Sequence, residues 1–339
     1  MSVYVRNISE RLAKNHDVTV FGTNTGGLPS FEVINGVKVE RFRRVAPGGA
    51  YFFSMDMLLR LRKVDFDVVH GHGYQSFPLH LSTLAKKRKF IASTHYHGVG
   101  HSPLRNSLMK VFRRAGQRTL AVADMVVAVS EYEKSLLRHQ FKLDSRKMAV
   151  IPCGVEYGEF RGLLRHRRKC RYMLYVGRLE SYKGAQYLIE VMPKLDDDWV
   201  LEIVGNGPMK PLLEKRALEL GIRKRVEFCQ GLPRNELLQK FVDADVFALL
   251  SQYEAYSMVI AEALVAGTPC IVATGSALTE WVDNENCFGI DYPLNIPRLA
   301  QLIEQASGHR NECGGEELRK DKIKDWKHIV EQFEKIYSG

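Results

Sequence analysis

Short apolar runs alternate with helical segments along almost the whole chain, and this alternation limits the folds open to it. The strand-like runs of the second half are RYMLYVG, WVLEIVGNG, RVEFCQG, DVFALLS, PCIVAT and CFGI. The first half opens with the amphipathic SVYVRNISERLAKNH and continues through DVTVFGT, VKVERFR, DVVHGH, KFIAST, MVVAVS and MAVIP. Runs that are apolar throughout are typical of parallel strands buried on both faces. The pattern predicts an α/β protein with doubly wound parallel sheets.

The net charge of +10 is distributed unevenly along the chain. Residues 1–171 carry 30 Lys and Arg against 13 Asp and Glu, whereas residues 172–339 carry 19 against 26. The basic residues of the first half cluster at 86–89, 105–118 and 165–171. This asymmetry indicates attraction to an anionic surface or acceptor, with a solvated basic face as the ordinary alternative. Nucleic acid is disfavoured because no DNA- or RNA-binding motif accompanies the charge, and anionic membrane lipids fit as well or better.

Length and composition favour an intracellular protein of two domains. A chain of 339 residues exceeds one compact core of typical size. No apolar run approaches the roughly 18 residues of a membrane span. The first residues lack the apolar core of a secretory signal, so we expect a cytoplasmic location, with peripheral attachment to the inner face of the membrane left open. The six cysteines form no Cys-x-x-Cys pair, which favours reduced thiols over disulfides or zinc ligands.

Two glutamates, Glu254 and Glu262, flank the start of a predicted helix with seven residues between them. Ser257 is a suitable N-cap, and Gly267 ends the helix before the strand PCIVA. Side chains lean towards the N-terminus of their helix, so Glu262 points back at the opening that Glu254 flanks. The backbone N–H groups of residues 255–258 add donors there. The arrangement suits a polyhydroxylated ligand with phosphates, and an ordinary βαβ crossover with a solvated helix face is the alternative.

This segment resembles the retaining GT-B glycosyltransferases, specifically glycosyltransferase family 4. The resemblance rests on the two glutamates, the AGTPCIVA that follows them, and Glu280. It extends to YVGRLESYKGAQYLIE at 175–190, which is similar to the family's strand, Gly-Arg, Lys-Gly and helix signature, and to the inter-domain motif IPCGVE at 151–156. Further matches are DVVHGH at 67–72, STHYHG at 93–98, AVSE at 128–131, VGNGP at 204–208 and VEFCQGL at 226–232.

The resemblance implies a GT-B fold, in which two Rossmann-like domains with doubly wound parallel sheets face a cleft. We expect an acceptor-side domain at 1–156, a linker at 157–171 and a nucleotide-sugar-binding domain at 172–324, with the helix at 325–339 packing back on the first domain. Family members open with a strand and a glycine-rich loop before the helix that SVYVRNISERLAKNH resembles. We therefore expect this 339-residue form to lack that strand and loop, and to fold poorly or transfer slowly.

A loop after the strand RYMLYVG carries Gly177, Arg178 and Lys183. Arginine supplies a planar fork and lysine a point charge, so both could reach a diphosphate, although an ordinary surface loop with two cations is the alternative. The resemblance implies that the two cations neutralise the leaving nucleoside diphosphate in place of a divalent metal, so we expect neither metal nor cofactor. Gly205 and Gly207 end the next strand, where the backbone passes close to a ligand or turns tightly.

The remaining site roles are implied by the resemblance. Glu262 would accept from the ribose hydroxyls, and the backbone of residues 231–232 would meet the base. Glu254 would hold a sugar hydroxyl or stabilise charge at the anomeric carbon, and His95, after Thr94, would contact the donor sugar and the β-phosphate. Glu254 and His95 are therefore the predicted catalytic residues. The predicted donor-binding residues are Gly177, Arg178, Lys183, Gly205, Leu232, Tyr256, Ser257, Met258 and Glu262.

Two Asp-x-Asp patterns are not interpreted as metal ligands. Asp65 and Asp67 are read as preceding the strand DVVHGH, where one caps or ends the preceding helical region. Asp243 and Asp245 form the same pattern before DVFALL. His70, His72 and His97 include no pair at i and i+4 that would support a metal site. No role is assigned to His70, His72 or His97.

The prediction is a retaining hexosyltransferase that moves a sugar from a UDP-, GDP- or ADP-sugar to an unidentified acceptor, with lipid-linked and polysaccharide acceptors both open. Two positions depart from the family's pattern: Ser257 replaces a common Gly, and Cys153 replaces a common Asn. A non-catalytic GT-B protein that binds a nucleotide or a partner is the alternative. An epimerase or phosphorylase would need an acid–base pair or a cofactor lysine that the sequence does not show.

Overall fold

The computed structural model describes residues 3–24, 26–45, 53–99, 113–166, 168–310 and 322–339. The chain divides into two compact units. The first comprises Met1–Gly154 together with Asp325–Gly339, and the second comprises Val155–Lys324. The stretch 157–171, which the sequence suggests as a linker, lies in the second unit, where Tyr157–Phe160 forms a 3-10 turn.

The described part of the first unit contains two sheets. Its strands are β1 (Thr19–Thr23), β2 (Phe31–Ile34), β3 (Val37–Phe42), β4 (Asp65–His72), β5 (Lys86–Ser93), β6 (Met125–Ala128) and β7 (Met148–Val150). One sheet has the order β1-β3-β2, and the other has the order β4-β5-β6-β7 with every neighbouring pair parallel. Strand β2 is absent from the predicted strands. It forms an antiparallel hairpin with β3 through Asn35 and Gly36, which both have positive φ, as a type I′ turn requires.

Strands β1 and β4 each end a sheet, and no ladder pairs them in the part of the chain that the structure describes. They nevertheless share a hydrophobic layer, because the rings of Phe21 and Phe66 meet edge to face with centroids 6.0 Å apart. Met57 and Leu61 supply the buried centre of this layer. Side chains therefore connect the two sheets at a place where backbone hydrogen bonds do not.

The helices cover the faces of the sheets. In the first unit they are α1 (Val3–Leu12), α2 (Met55–Leu61), α3 (Phe77–Leu81), α4 (residues 113–121), α5 (Glu131–Phe141) and α11 (Trp326–Ser338). In the second unit they are α6 (Ala185–Val191), α7 (Lys210–Glu219), α8 (Arg234–Asp243), α9 (Met258–Val265) and α10 (Ile296–Ser307). Helix α11 packs against α1, and the Tyr4 and Trp326 rings lie 5.6 Å apart.

The second unit is built on a single parallel sheet of six strands. They are β8 (Arg171–Val176), β9 (Trp199–Val204), β10 (Val226–Cys229), β11 (Val246–Leu249), β12 (Cys270–Ala273) and β13 (Cys287–Ile290). Their order is β10-β9-β8-β11-β12-β13, so the chain winds outwards from β8 and then returns to its other side at β11. The six predicted strand runs and the doubly wound α/β class are thereby confirmed. In such a sheet the switch point between β8 and β11 is where a ligand is expected.

Gly154 lies directly against the start of α11 within the first unit. A Cβ atom at this position would lie 2.8 Å from the backbone nitrogen and Cα of Trp326. We expect Gly154→Ala to destabilise the first unit by about 1–3 kcal/mol, because the backbone of α11 must move. The matched control is Gly158→Ala, where a new Cβ meets no atom closer than 3.8 Å. Equal melting temperatures for the two variants would contradict this account of the packing.

Candidate active site

The loop after β8 and the loop after β11 are joined by an ion pair at the switch point. Lys183 Nζ lies 2.6 Å from Oε1 of Glu254. The two side chains are only 17% and 15% exposed. Gly184 makes this geometry possible, because its φ is +80° and a Cβ atom there would lie 2.1 Å from the carbonyl oxygen of Leu250 at the end of β11. The structure therefore brings together two of the residues that the sequence singled out.

Arg178 lies in the same loop but in a different environment. Its side chain is 72% exposed and pairs with Oε1 of Glu180 at 2.7 Å. Its carbonyl oxygen accepts from the Tyr175 hydroxyl at 2.9 Å, which fixes the backbone of the loop. Because the guanidinium itself is exposed, this ion pair contributes little, and Arg178 can exchange Glu180 for an anionic ligand at small cost.

The glycines predicted near the donor are packed against the protein's own backbone. A Cβ atom at Gly205 would lie 1.9 Å from the carbonyl oxygen of Gly177. A Cβ atom at Gly207 would lie 2.4 Å from that of Leu179. The close backbone approach at these glycines is to a neighbouring loop of the protein itself, and their predicted role at the donor stays a prediction. The loops after β8 and β9 form one compact wall because only glycine fits between them.

Ser257 occupies the N-cap position of α9, as predicted, but its side chain makes no capping hydrogen bond. Its φ is +106°, a region that serine rarely adopts, and its position is the one where the resemblance places a common glycine. The Oγ atom is buried without a hydrogen-bond partner among the described residues. A buried hydroxyl on a strained residue is expensive, so this site is a candidate for ligand contact.

Glu262, the carboxylate predicted to accept from the ribose hydroxyls, is buried, with a side chain 6% exposed. Its Oε1 lies 2.7 Å from Nη2 of Arg234, whose guanidinium also pairs with Glu159 at 2.8 Å. Burial raises the pKa of Glu262, and Arg234 opposes that shift. Sequence reasoning missed Arg234, because its contact with Glu262 depends on α8 and α9 lying side by side in the fold.

Tyr256, the residue before Ser257, packs against Trp281. The Tyr256 and Trp281 rings meet with centroids 5.1 Å apart, and Trp281 Nε1 donates to the Tyr256 carbonyl oxygen at 3.2 Å. The backbone N–H of Ala277 donates to the carbonyl oxygen of Glu254 at 3.3 Å. Glu280 lies in the same short 3-10 turn, Ala277–Trp281, and is exposed. This turn supports the loop that carries Glu254 and Tyr256.

His95 follows β5 in the first unit and has a φ of +49°. Burial lowers the pKa of its imidazole to about 4, so the ring is neutral at physiological pH. The Tyr4 ring meets it edge-on at 4.7 Å, and the His72 ring stacks at 6.1 Å. His70 is hydrogen-bonded to Ser93 and Tyr337 at 2.7 Å each, which gives it a structural role.

The two Asp-x-Asp patterns lie in different surroundings: one is exposed on a strand, and the other accepts backbone hydrogen bonds. Asp65 and Asp67 lie within β4 instead of before it, which corrects the expected strand start. They are 80% and 85% exposed and face cations of the neighbouring strand. Asp243 accepts from the backbone of His166, and Asp245 accepts from that of Tyr172. The described residues contain no group of three or more side chains suited to a metal ion.

Comparison with known proteins establishes the family. A profile described as Glycosyltransferase Family 4 matches residues 1–158, and one described as Glycosyl transferases group 1 matches residues 158–324. An uncharacterized glycosyltransferase of Methanocaldococcus jannaschii is 28% identical, covering 90% of this chain and 84% of its own. A GDP-mannose-dependent alpha-(1-6)-phosphatidylinositol monomannoside mannosyltransferase of Mycolicibacterium smegmatis is 32% identical, covering 82% and 78%.

Solved structures agree on the fold. Sucrose-phosphate synthase from Thermosynechococcus elongatus superimposes with a TM-score of 0.81 at 20% identity, covering 98% of this chain and 91% of its own. The Anabaena protein HepE, in complex with UDP-glucose, gives 0.77 at 16% identity, covering 99% and 95%. The fold class is GT-B, as predicted. The chain belongs to the family 4 type of glycosyltransferases and is a glycosyl-transferring enzyme. None of its described helices is long and apolar enough to cross a membrane.

Replacing Ser257 by glycine tests the strain at the start of α9. We expect Ser257→Gly to raise the free energy of unfolding by about 1 kcal/mol, because relief of a strained φ outweighs the added freedom of the unfolded chain. The measurement is the melting temperature of the second unit. Ser276→Gly is the control, since Ser276 has an ordinary φ of −137° and caps Leu278 with its side chain. A similar loss of stability in both variants would argue against strain at Ser257.

Proposed function

We propose that this enzyme transfers a hexosyl group from a nucleotide sugar bound on its second unit, with retention of anomeric configuration. The observation that carries the proposal is the Lys183–Glu254 ion pair at the switch point of the sheet. At this position Lys183 would bind the diphosphate of the donor, and Glu254 beside it would contact the sugar attached to that diphosphate. The alternative of a non-catalytic protein is not favoured, because relatives along both halves of the chain are named as glycosyltransferases.

The diphosphate is bound by Lys183, Arg178 and the start of α9. Lys183 is shielded from water, so its charge acts in a medium of lower dielectric than the solvent. Arg178 is exposed and supplies a fork that suits phosphate oxygens. The first N–H groups of α9 have no intrahelical acceptor and lie at the positive end of the helix dipole. These groups together offset the charge of the leaving diphosphate without a metal ion.

The ribose is bound by Glu262 and the base by the loop at residues 231–232. Arg234 supports this assignment because its ion pair with Glu262 opposes the rise in the pKa of Glu262 that burial causes, and so favours the ionised form. An ionised carboxylate accepts from both hydroxyls of a ribose diol. Leu232 is partly buried against the core of the second unit, so the base is expected to lie on its backbone.

The donor sugar is held near Glu254, with Tyr256, Ser257 and Met258 beside it, and His95 acts as the catalytic histidine of the first unit. The buried Oγ of Ser257 supports a hydroxyl contact, since it lacks a partner among the described residues. GDP-mannose is the first donor to test because the relative at 32% identity is named for it. UDP-glucose is the second, because HepE was solved with it.

The acceptor is expected to be anionic and to bind to the first unit. Several relatives are named for phosphatidylinositol mannoside or D-inositol 3-phosphate as substrates, and the first half of this chain is strongly basic. A lipid-linked acceptor would place the enzyme at a cytoplasmic membrane surface. Of the basic cluster at 105–118, residues 113–118 lie within the described structure, on α4.

Lys183→Ala should lower kcat by roughly 10- to 100-fold, since a charge-assisted hydrogen bond contributes about 1.5–3 kcal/mol. The assay is transfer or hydrolysis of GDP-mannose and of UDP-glucose, with the melting temperature of each variant measured in parallel. Asp65→Ala is the control, because Asp65 is exposed at the N-terminal end of β4, whereas ligands bind at the carboxyl ends of parallel strands. Equal losses in the two variants would show that the site is assigned wrongly.

Activity should persist after treatment with EDTA, because the cations around the switch point replace the divalent metal. The measurement is the initial rate before and after chelation and dialysis, with magnesium and manganese added back. We expect a change of less than about twofold, well below the effect of removing a group that stabilises the transition state. Complete loss, restored by either metal, would overturn this part of the proposal.

Membrane attachment is tested with vesicles. We expect the protein to bind vesicles containing an anionic phospholipid and to release as salt increases, with each basic residue near the surface contributing about 1 kcal/mol. The reversal Arg113→Glu with Arg114→Glu should reduce binding strongly. Lys210→Glu with Lys215→Glu makes the same change in charge on the second unit and should not. Equal binding to anionic and neutral vesicles would contradict attachment through the basic residues of the first unit.

A further inference from the structure

Glu133 is a fully buried carboxylate in the first turn of α5. It forms no ion pair with a lysine or arginine among the described residues. Its Oε2 accepts from the backbone N–H of Val129 at 2.7 Å, and its Oε1 accepts from the Thr94 hydroxyl and from the backbone N–H of Tyr96, the latter at 2.5 Å. Burial raises its pKa to about 7, and these three hydrogen bonds oppose the shift. A buried carboxylate without a cationic partner is costly, and here three hydrogen bonds compensate it.

The two partners of Oε1 are the residues on either side of His95. One atom of Glu133 therefore holds both ends of a three-residue segment whose middle residue is the proposed catalytic histidine. His95 has a φ of +49°, a left-handed conformation that a histidine adopts only at some energetic cost. If either anchor were released, the backbone could relax and the imidazole would move.

The helix explains why the carboxylate is available for this task. Ser130 caps α5 by accepting from the Glu133 N–H at 3.0 Å, which leaves the Glu133 side chain at the third helical position. In an ordinary capping box that side chain returns to the N–H of the cap residue itself. Here it reaches the N–H of Val129, one residue earlier, and crosses to the segment after β5. The hydrogen bonds of Glu133 thus connect the end of β6 to the end of β5.

We propose that Glu133 is a positioning residue for catalysis, which holds His95 in the backbone conformation that the reaction requires. The inference rests on the proposed function for the role of His95 itself. The imidazole is further enclosed by the Tyr4 and His72 rings, so its position is set by packing on one side and by the Glu133 clamp along the backbone. A purely structural role for Glu133 in joining two strands is the alternative that the experiment must separate.

The test is a double-mutant cycle of Glu133→Gln and His95→Ala. Glutamine keeps the shape, but its NH₂ group must face either the Val129 N–H or the Thr94 and Tyr96 donors, so at least one of the three hydrogen bonds is lost. We expect Glu133→Gln to lower kcat/KM for the donor that the wild-type enzyme uses, GDP-mannose or UDP-glucose, by roughly 10- to 100-fold. In the His95→Ala background, Glu133→Gln should lower kcat/KM by less than about twofold, because the residue that Glu133 positions is no longer present. Glu131→Gln, at a 69% exposed carboxylate on the same helical turn, is the control and should match the wild type.

A second readout does not depend on activity. The imidazole resonances of ¹⁵N-labelled histidine should shift for His95 in Glu133→Gln and stay fixed for His80, which has its own partners in Thr119 and Tyr74. Additive losses in the cycle together with an unmoved His95 signal would overturn the inference. If His95→Ala leaves turnover unchanged, the proposed function of His95 fails. In that case the movement or immobility of the His95 signal alone decides whether Glu133 positions it.

Discussion

The ion pair between Lys183 and Glu254 is the interaction on which the donor site depends. It joins the two loops that leave the switch point of the six-stranded sheet, and both side chains are largely shielded from water. Removing one partner of such a shielded pair would leave the other charge without a counter-ion in a poorly solvated place, so the two side chains hold the loops together. In the proposed complex the bound diphosphate is a second anionic partner for Lys183, and Glu254 stays beside the sugar.

Close backbone packing makes the surrounding wall rigid before any ligand arrives. Gly184 lies against the end of β11, Gly205 lies against Gly177, and Gly207 lies against Leu179. Each contact leaves no room for a Cβ atom, so replacing any of these glycines would force the loops apart. A preformed site of this kind needs little reorganisation during reaction, which is the condition under which fixed charges and N–H groups accelerate a reaction most.

The sequence predicted the second unit well because its strands are buried on both faces and read as unbroken apolar runs. It missed β2, although the Asn35–Gly36 pair is a strong hairpin signal. Motif resemblance placed Lys183, Glu254 and Glu262 near one ligand, but it could not show which charges pair within the protein. Arg234 contacts Glu262 only because α8 and α9 are neighbours in space, and that proximity is a property of the fold.

The most direct test of the account is a crystal structure of the enzyme with GDP-mannose, or with UDP-glucose if that is the donor it uses. The account predicts phosphate oxygens within about 3 Å of Lys183 Nζ and of the first N–H groups of α9, with the ribose hydroxyls on Glu262. The Arg178 side chain should have turned from Glu180 to the diphosphate. A nucleotide bound elsewhere on the second unit, with the Lys183–Glu254 pair untouched by ligand, would contradict it.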